Sequence, residues 1–165
     1  MKQLLEDIQQ RLLAEAPKLK YVDEDWGQLS YYEPHHPVQY PAAVINVSKV
    51  VWQNMGKHVQ QGDVSIALQI ADIKLTNSSG KAPATQRNQA FNIFDLLTHV
   101  HMALHGWAGN RHYGPLVRTN TQRIKRDDGI IHYEVVYSCS LIDNAAETTH
   151  ERKEDVEAKI DISKI

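Results

Sequence analysis

An α+β fold follows from three features of the sequence: two segments with apolar residues at helical spacing, two strand-like runs between them, and a hairpin signal in the last third. The chain has 165 residues and a mass of 18.8 kDa, the length of one domain. A compact monomer of that size buries about 70% of its unfolded surface, so neither a disulfide nor a structural metal is required for stability.

Residues 1–16 set Leu4, Leu5, Ile8, Leu12 and Leu13 along one stripe, with Glu6, Gln9, Gln10 and Glu15 largely outside it, and predict an amphipathic first helix. Pro17 disfavours the α conformation at Ala16 and ends it. From Lys18 to Pro41 the chain reads as irregular, with acidic Asp23-Glu24-Asp25 and a turn at Trp26-Gly27. A short edge strand is expected within Gln28–Tyr32, and Pro34-His35-His36-Pro37 as a rigid, extended connection.

Ala42–Val51 is rich in β-branched residues. Asp63–Leu75 alternates Val64, Ile66, Leu68 and Ile70 with Ser65, Ala67 and Gln69; both segments are expected as strands. Trp52-Gln53-Asn54-Met55-Gly56 opens a connection too long for a two-residue hairpin. Thr76–Asn88 is polar, contains Gly80 and Pro83, and predicts a long projecting loop. Gln89–His105 then sets Phe91, Phe94, Leu97, His101 and Leu104 on one helical stripe, widened by Ile93, Leu96 and Val100, with Gly106 to terminate it.

After a Gly-containing loop over Trp107–Pro115, Leu116–Lys125 and Ile130–Leu141 flank Arg126-Asp127-Asp128-Gly129, where Asp-Gly supplies the left-handed conformation of a tight hairpin with a bulge. Ile131, Tyr133, Val135, Tyr137, Cys139 and Leu141 share one face, so Cys139 reads as a core residue. The domain is expected to span 1–142. The charged extension 143–165 is either a solvated tail or, through the alternation at Ala158–Ile162, an added strand that pairs with a neighbour's sheet edge.

Hydrophobic residues make up 42% of the chain and charged residues 23%, which excludes wholesale disorder. The single cysteine excludes an intrachain disulfide and suits a reducing compartment. Eighteen Lys+Arg against twenty Asp+Glu give a net charge of −2, without the basic excess that phosphate neutralisation needs; neither free nor sequence-specific nucleic acid is expected as a ligand. No 18-residue apolar run is present and MKQLLEDIQQ lacks the apolar run of a signal peptide, so no membrane association is expected and the cytoplasm is the expected place of synthesis and use.

Nine histidines stand out, with His99, His101, His105 and His112 around the end of the second helix. His101 and His105 share a helix face, which is zinc-ligand geometry with His112 or His58 as a third ligand. Met102 stands where a zinc protease carries its glutamate, and a partly buried, hydrogen-bonded histidine explains His101 without metal. No Gly-x-Ser-x-Gly elbow occurs, and Gly80-Lys81 lacks the surroundings of a phosphate loop. Asp23/Asp25 and Asp127/Asp128 read as solvated turn formers. Trp26, Trp52 and Trp107 each border a glycine or a loop, as lids on the core or anchors of a partner surface. No cofactor, no metal site and no enzymatic activity are expected.

Asp25-Trp26-Gly27-Gln28, Tyr40-Pro41-Ala42-Ala43-Val44-Ile45, Gln61-Gly62-Asp63, Phe94-Asp95-Leu96-Leu97, Leu104-His105-Gly106-Trp107 and Arg126-Asp127-Asp128-Gly129-Ile130 occur in an order that resembles the small tail-terminator, or tail-completion, proteins of long-tailed bacteriophages and prophages. The resemblance covers about residues 1–142. It implies a mixed, mainly antiparallel sheet packed by two α-helices, assembled as a sixfold ring. The ring would cap the tail tube, stop its growth and offer a surface to the head–tail connector, in a virion tail assembled in the bacterial host cytoplasm. The implied partners are other copies of the chain, the tail tube protein and the connector protein. By that reasoning Lys81, Arg87 and Arg118 are candidate interface contacts beside Trp26, Trp52 and Trp107. A head-completion protein is a neighbouring reading. A small metal-dependent enzyme using His101 and His105 is the alternative from another class, and it predicts metal retained on purification.

Overall fold

The computed structural model describes residues 1–30, 38–109 and 113–146. The proline cluster, His112 and the Ala158–Ile162 segment fall outside the described residues. The elements run α1 (Lys2–Glu15), β1 (Tyr21–Glu24), a 3-10 turn (Gln28–Ser30), β2 (Ala42–Gly56), β3 (Val59–Ile73), α2 (Ala84–Ala90), α3 (Asn92–Leu104), β4 (Val117–Ile124) and β5 (Ile130–Asp143). The fold is α+β. One mixed sheet in the order β1-β2-β3-β5-β4 has a parallel β1–β2 pair and antiparallel pairs elsewhere.

The apolar alternation of β3 and β5 explains their central place. Val64, Ile66, Leu68 and Ile70 meet Val135, Tyr137, Cys139 and Leu141 on one face, with Ala43 and Ile45 of β2 beside them. Leu4, Ile8 and Leu12 of α1 and Ile93, Leu96, Val100, Ala103 and Leu104 of α3 close over that face. Each Val, Leu or Ile among them contributes about 1.5–3 kcal/mol by leaving water. Arg11 ties the two helices by donating from Nε to the Ala103 carbonyl at 3.0 Å, which satisfies an acceptor in the open last turn of α3.

On the opposite face Leu29, Val38, Ala42, Val44 and Ala71 form a second, smaller cluster. The 3-10 turn is held there by Gln28, fully buried, whose side chain donates to the Glu24 carbonyl at 2.7 Å and accepts from the Trp26 amide at 2.9 Å. The Tyr40–Pro41 peptide is cis. Among the described residues no helix is long and apolar enough to cross a membrane.

Several expectations are corrected. The described edge strand is Tyr21–Glu24, and Gln28–Ser30 is a 3-10 turn because its buried glutamine binds local backbone instead of a strand; the rest of the expected strand, Tyr31–Tyr32, lies outside the described residues. The connection between β2 and β3 is a two-residue hairpin after all: Gly56 pairs with Val59 and only Lys57 and His58 lie between. Both adopt positive φ, 50° and 63°, as a type I′ turn requires, without the Asn-Gly that announces one. The projecting loop is shorter than Thr76–Asn88, since Ala84–Ala90 forms the third helix, α2. Leu13 faces outward, 56% exposed.

Candidate functional site

The sequence-predicted interface residues are dispersed over the molecule. Trp26 stands exposed after β1. Trp52 lies over Gly62 of the paired strand, where a β-carbon would come within 2.8 Å of the indole Cζ3; the glycine makes room for the ring. Trp107 belongs with the core: it packs against the main cluster, meets Tyr113 edge-on at 6.2 Å and lies under the Arg11 guanidinium at 5.7 Å. Lys81 is exposed on the loop before α2. Arg87 is half-buried on α2, its Nε without a hydrogen-bond partner among the described residues. Arg118 is exposed on β4.

What the fold does bring together is one face of α3 and the edge strand β4. The stripe expected to line the core divides in two. Ile93, Leu96, Val100 and Ala103 face the sheet, whereas Phe91 and Phe94 are 46% and 49% exposed and Leu97 and His101 lie between. Nearly every position of α3 outside Asp95, Thr98 and His99 is apolar or histidine, and a helix apolar on two sides has surface left after one side is packed. Phe94 meets Phe91 at 6.1 Å and Tyr133 of β5 edge-on at 5.9 Å. Phe94, Leu97, Thr98 and His101 line an open groove whose other wall is β4 from Arg118 to Thr121.

β4 is the last strand of the sheet, and Val117–Arg123 are all exposed. Its outer row of backbone groups is a template for a further strand, the feature that sheet proteins usually blunt. A register shift between Arg118 and Asn120 bends it, and Arg118 and Arg123 charge it. At the opposite edge, β1 has four residues and carries Asp23 and Glu24.

His101 and His105 stack with ring centroids 4.7 Å apart. The His105 Nδ1 accepts the Arg118 amide at 3.2 Å, which joins the end of α3 to the start of β4. Burial, then the Arg118 and His105 charges, push the His101 pKa down, and its Nδ1 is buried without a partner among the described residues. His58, one proposed third ligand, sits at the β2–β3 turn. Among the described residues no group of three His, Cys, Asp or Glu is placed to hold a metal.

A second polar group lies on the other face. His132, buried on β5, shares a hydrogen bond of 2.7 Å with Gln69 of β3. Glu134 accepts from Gln69 and from Gln122 of β4, both at 2.7 Å, so three strands are laced by side chains. Burial is the main cause of the lowered His132 pKa. The Cys139 thiol is pushed up to about 11 by burial, which leaves it protonated and unreactive at neutral pH.

No protein-family model matches the sequence, and no curated protein matches it. The fold is similar to that of a chain in a solved structure described as the virion of a native gene transfer agent (GTA) particle. The similarity has a TM-score of 0.59 at 11% sequence identity and covers 85% of this chain and 95% of that one. At that identity the likeness is one of fold.

Proposed function

We propose that this chain is a structural protein of virion assembly that caps a phage or prophage tail tube as a sixfold ring, ending tail growth and helping to join tail to head. The observation that carries the reading is the shared fold with a chain of a virion particle over nearly the whole of both chains. A fold alone does not assign a function. The tail-terminator-like order of motifs and the exposed α3–β4 surface add to it.

A closed ring of identical subunits needs two different patches that complement each other, and no catalytic centre. The α3–β4 surface serves as one patch. The exposed loop that carries Lys81 serves as a polar contact toward the tube. Native mass spectrometry over a concentration series tests the ring: a metal-free species of about 113 kDa, six copies of the 18.8 kDa chain, is expected. A monomer or dimer that retains one zinc per chain, lost when His101 and His105 are replaced by alanine, overturns it. Particles made without this chain separate the two structural roles. Overlong tails identify a tail cap; tails of normal length that remain unjoined to heads identify a connector protein.

A further inference from the structure

We infer that Glu24 and Trp26, at the β1 edge of one copy, dock into the α3–β4 groove of the next copy, with the carboxylate between Arg118 and Arg123 and the indole over Phe94 and Leu97. The inference rests on the ring reading and deepens it, because it names the second of the two patches that a head-to-tail contact needs.

The groove combines apolar with cationic surface. Phe94 is 49% exposed and Leu97 half-buried along one wall. On the other wall Arg118 and Arg123 pair with Tyr137 and Tyr133 of β5, both of which belong to the core under the helices, so the two arginines stand on the helix side of the sheet. Among the described residues neither is in an ion pair. The one carboxylate of α3, Asp95, is not among the residues that line the groove.

The opposite edge of the sheet carries the complement. Val22 and Glu24 pair with Ala43 and Ile45, which belong to that same core, so Glu24 also lies on the helix side. Asp23 accepts from the Tyr21 hydroxyl at 2.7 Å and Asp25 from the Gly27 amide at 3.0 Å. Both are engaged locally. Glu24 is exposed and, among the described residues, in no ion pair. Lys20 lies four residues back, about 13 Å along the strand. Trp26 follows, 56% exposed. Its amide donates to the fully buried Gln28 side chain at 2.9 Å, so this aromatic anchor stands on fixed backbone and loses little freedom on binding.

Register sets the two patches at the ends of one row. Glu24 pairs with Ile45, Ile45 with Leu68, Leu68 with Val135 and Val135 with Thr121. Thr121 lines the groove and lies between Arg118 and Arg123 along β4. A row that continues from one copy into the next therefore brings Glu24 up to both arginines, and the opposite charges fix partner and register. Contacts between like edges are disfavoured, because β4 against β4 sets arginine on arginine and β1 against β1 sets Glu24 on Glu24. The contact is heterologous, the kind that generates rings.

The test follows sedimentation velocity of the full chain over a concentration series. Glu24→Arg, Trp26→Ala, and Arg118→Glu with Arg123→Glu are each expected to raise the dissociation concentration of the oligomer at least tenfold. All four side chains are exposed, and an unchanged thermal midpoint checks that each variant is folded. An equimolar mixture of the Glu24→Arg chain and the doubly reversed arginine chain is expected to assemble again, since every edge then meets a groove of opposite charge on the other variant. A mixture that stays dissociated overturns the inference. Variants that all associate as tightly as the wild-type chain also overturn it and leave the ring reading standing. Groove variants that still self-associate but no longer bind purified tail tubes assign the groove to the tube protein instead. A wild-type chain that stays monomeric at every concentration removes both the inference and the ring.

Discussion

Lys57 and His58 hold φ of 50° and 63° at the tip of the β2–β3 hairpin, where a β-carbon costs each residue about 1 kcal/mol or more. His58→Gly is expected to raise the unfolding free energy by about 0.5–1 kcal/mol, measured as a higher urea midpoint at unchanged slope. At Gly62 the effect reverses. A β-carbon there would meet Trp52 and Val50 side chains at 2.8 Å, so Gly62→Ala must displace the indole and is expected to destabilise by about 1–3 kcal/mol, with a change in tryptophan fluorescence. His132 supplies a pH dependence. Gln69 donates its amide to Glu134, so its oxygen accepts from His132 Nε2, and Nδ1 is left bare and buried without a partner among the described residues. Its pKa in the folded protein lies below 6.5. Below pH 6.5 the unfolded chain therefore binds a proton that the native chain does not, and stability falls until the lowered pKa is passed. His101 acts in the same direction. Denaturation curves measured stepwise downward from pH 7 check this, and His132→Gln is expected to flatten the slope.

At the scale of the element, α3 separates two tasks that share one hydrophobic pattern. Leu96 is 1% exposed and Phe94 49%, although both are large, apolar and two positions apart. Leu96→Ala is expected to cost about 2–5 kcal/mol of stability by leaving a cavity. Phe94→Ala is expected to leave the thermal midpoint nearly unchanged and to weaken self-association instead, so the pair of variants divides packing from interface when both are read by calorimetry and by sedimentation. Helical periodicity identified α3 but not its inward side, because residues on both sides are apolar and only the position of the sheet distinguishes them. The β4–β5 hairpin was legible for the opposite reason. Asp127-Asp128-Gly129 puts its glycine at φ 76°, and every second residue of β5 from Ile131 to Leu141 is apolar, so turn chemistry and alternation agree. In the β2–β3 connection they disagree, since Lys57-His58 carries no turn signal; the antiparallel pairing of β2 with β3 from Ala42–Ala71 to Gly56–Val59 overrides the local preference.

For the whole molecule, the proposed assembly is a ring with the α3–β4 surface as one of its two contacts. Native mass spectrometry of the wild-type chain and sedimentation of the Phe94→Ala variant address the same equilibrium from two directions. The candidate site was legible only in parts. Arg118 was singled out and does lie on the exposed surface that the fold assembles, whereas Phe91 and Phe94 were assigned to the core. Trp107 was read as either a lid on the core or an anchor of a partner surface, and it packs against the core between Arg11 and Tyr113. A ring at the end of a helix and a ring at a partner surface border the same kinds of residue, and a one-dimensional pattern does not distinguish them.

Local chemistry was enough to establish the α+β class, the first helix and its end at Pro17, the alternation of β3 and β5, and the buried place of Cys139. Each depends on spacing along the chain, and spacing is a property of the sequence. The parallel pairing of β1 with β2, the two-residue turn at Lys57-His58, the meeting of His105 with Arg118 and the exposed side of α3 depend on contacts between residues far apart in the chain. Those contacts arise when the sheet closes against α1 and α3, because the position of the sheet decides which apolar side of each helix leaves water and which strand is left at the edge.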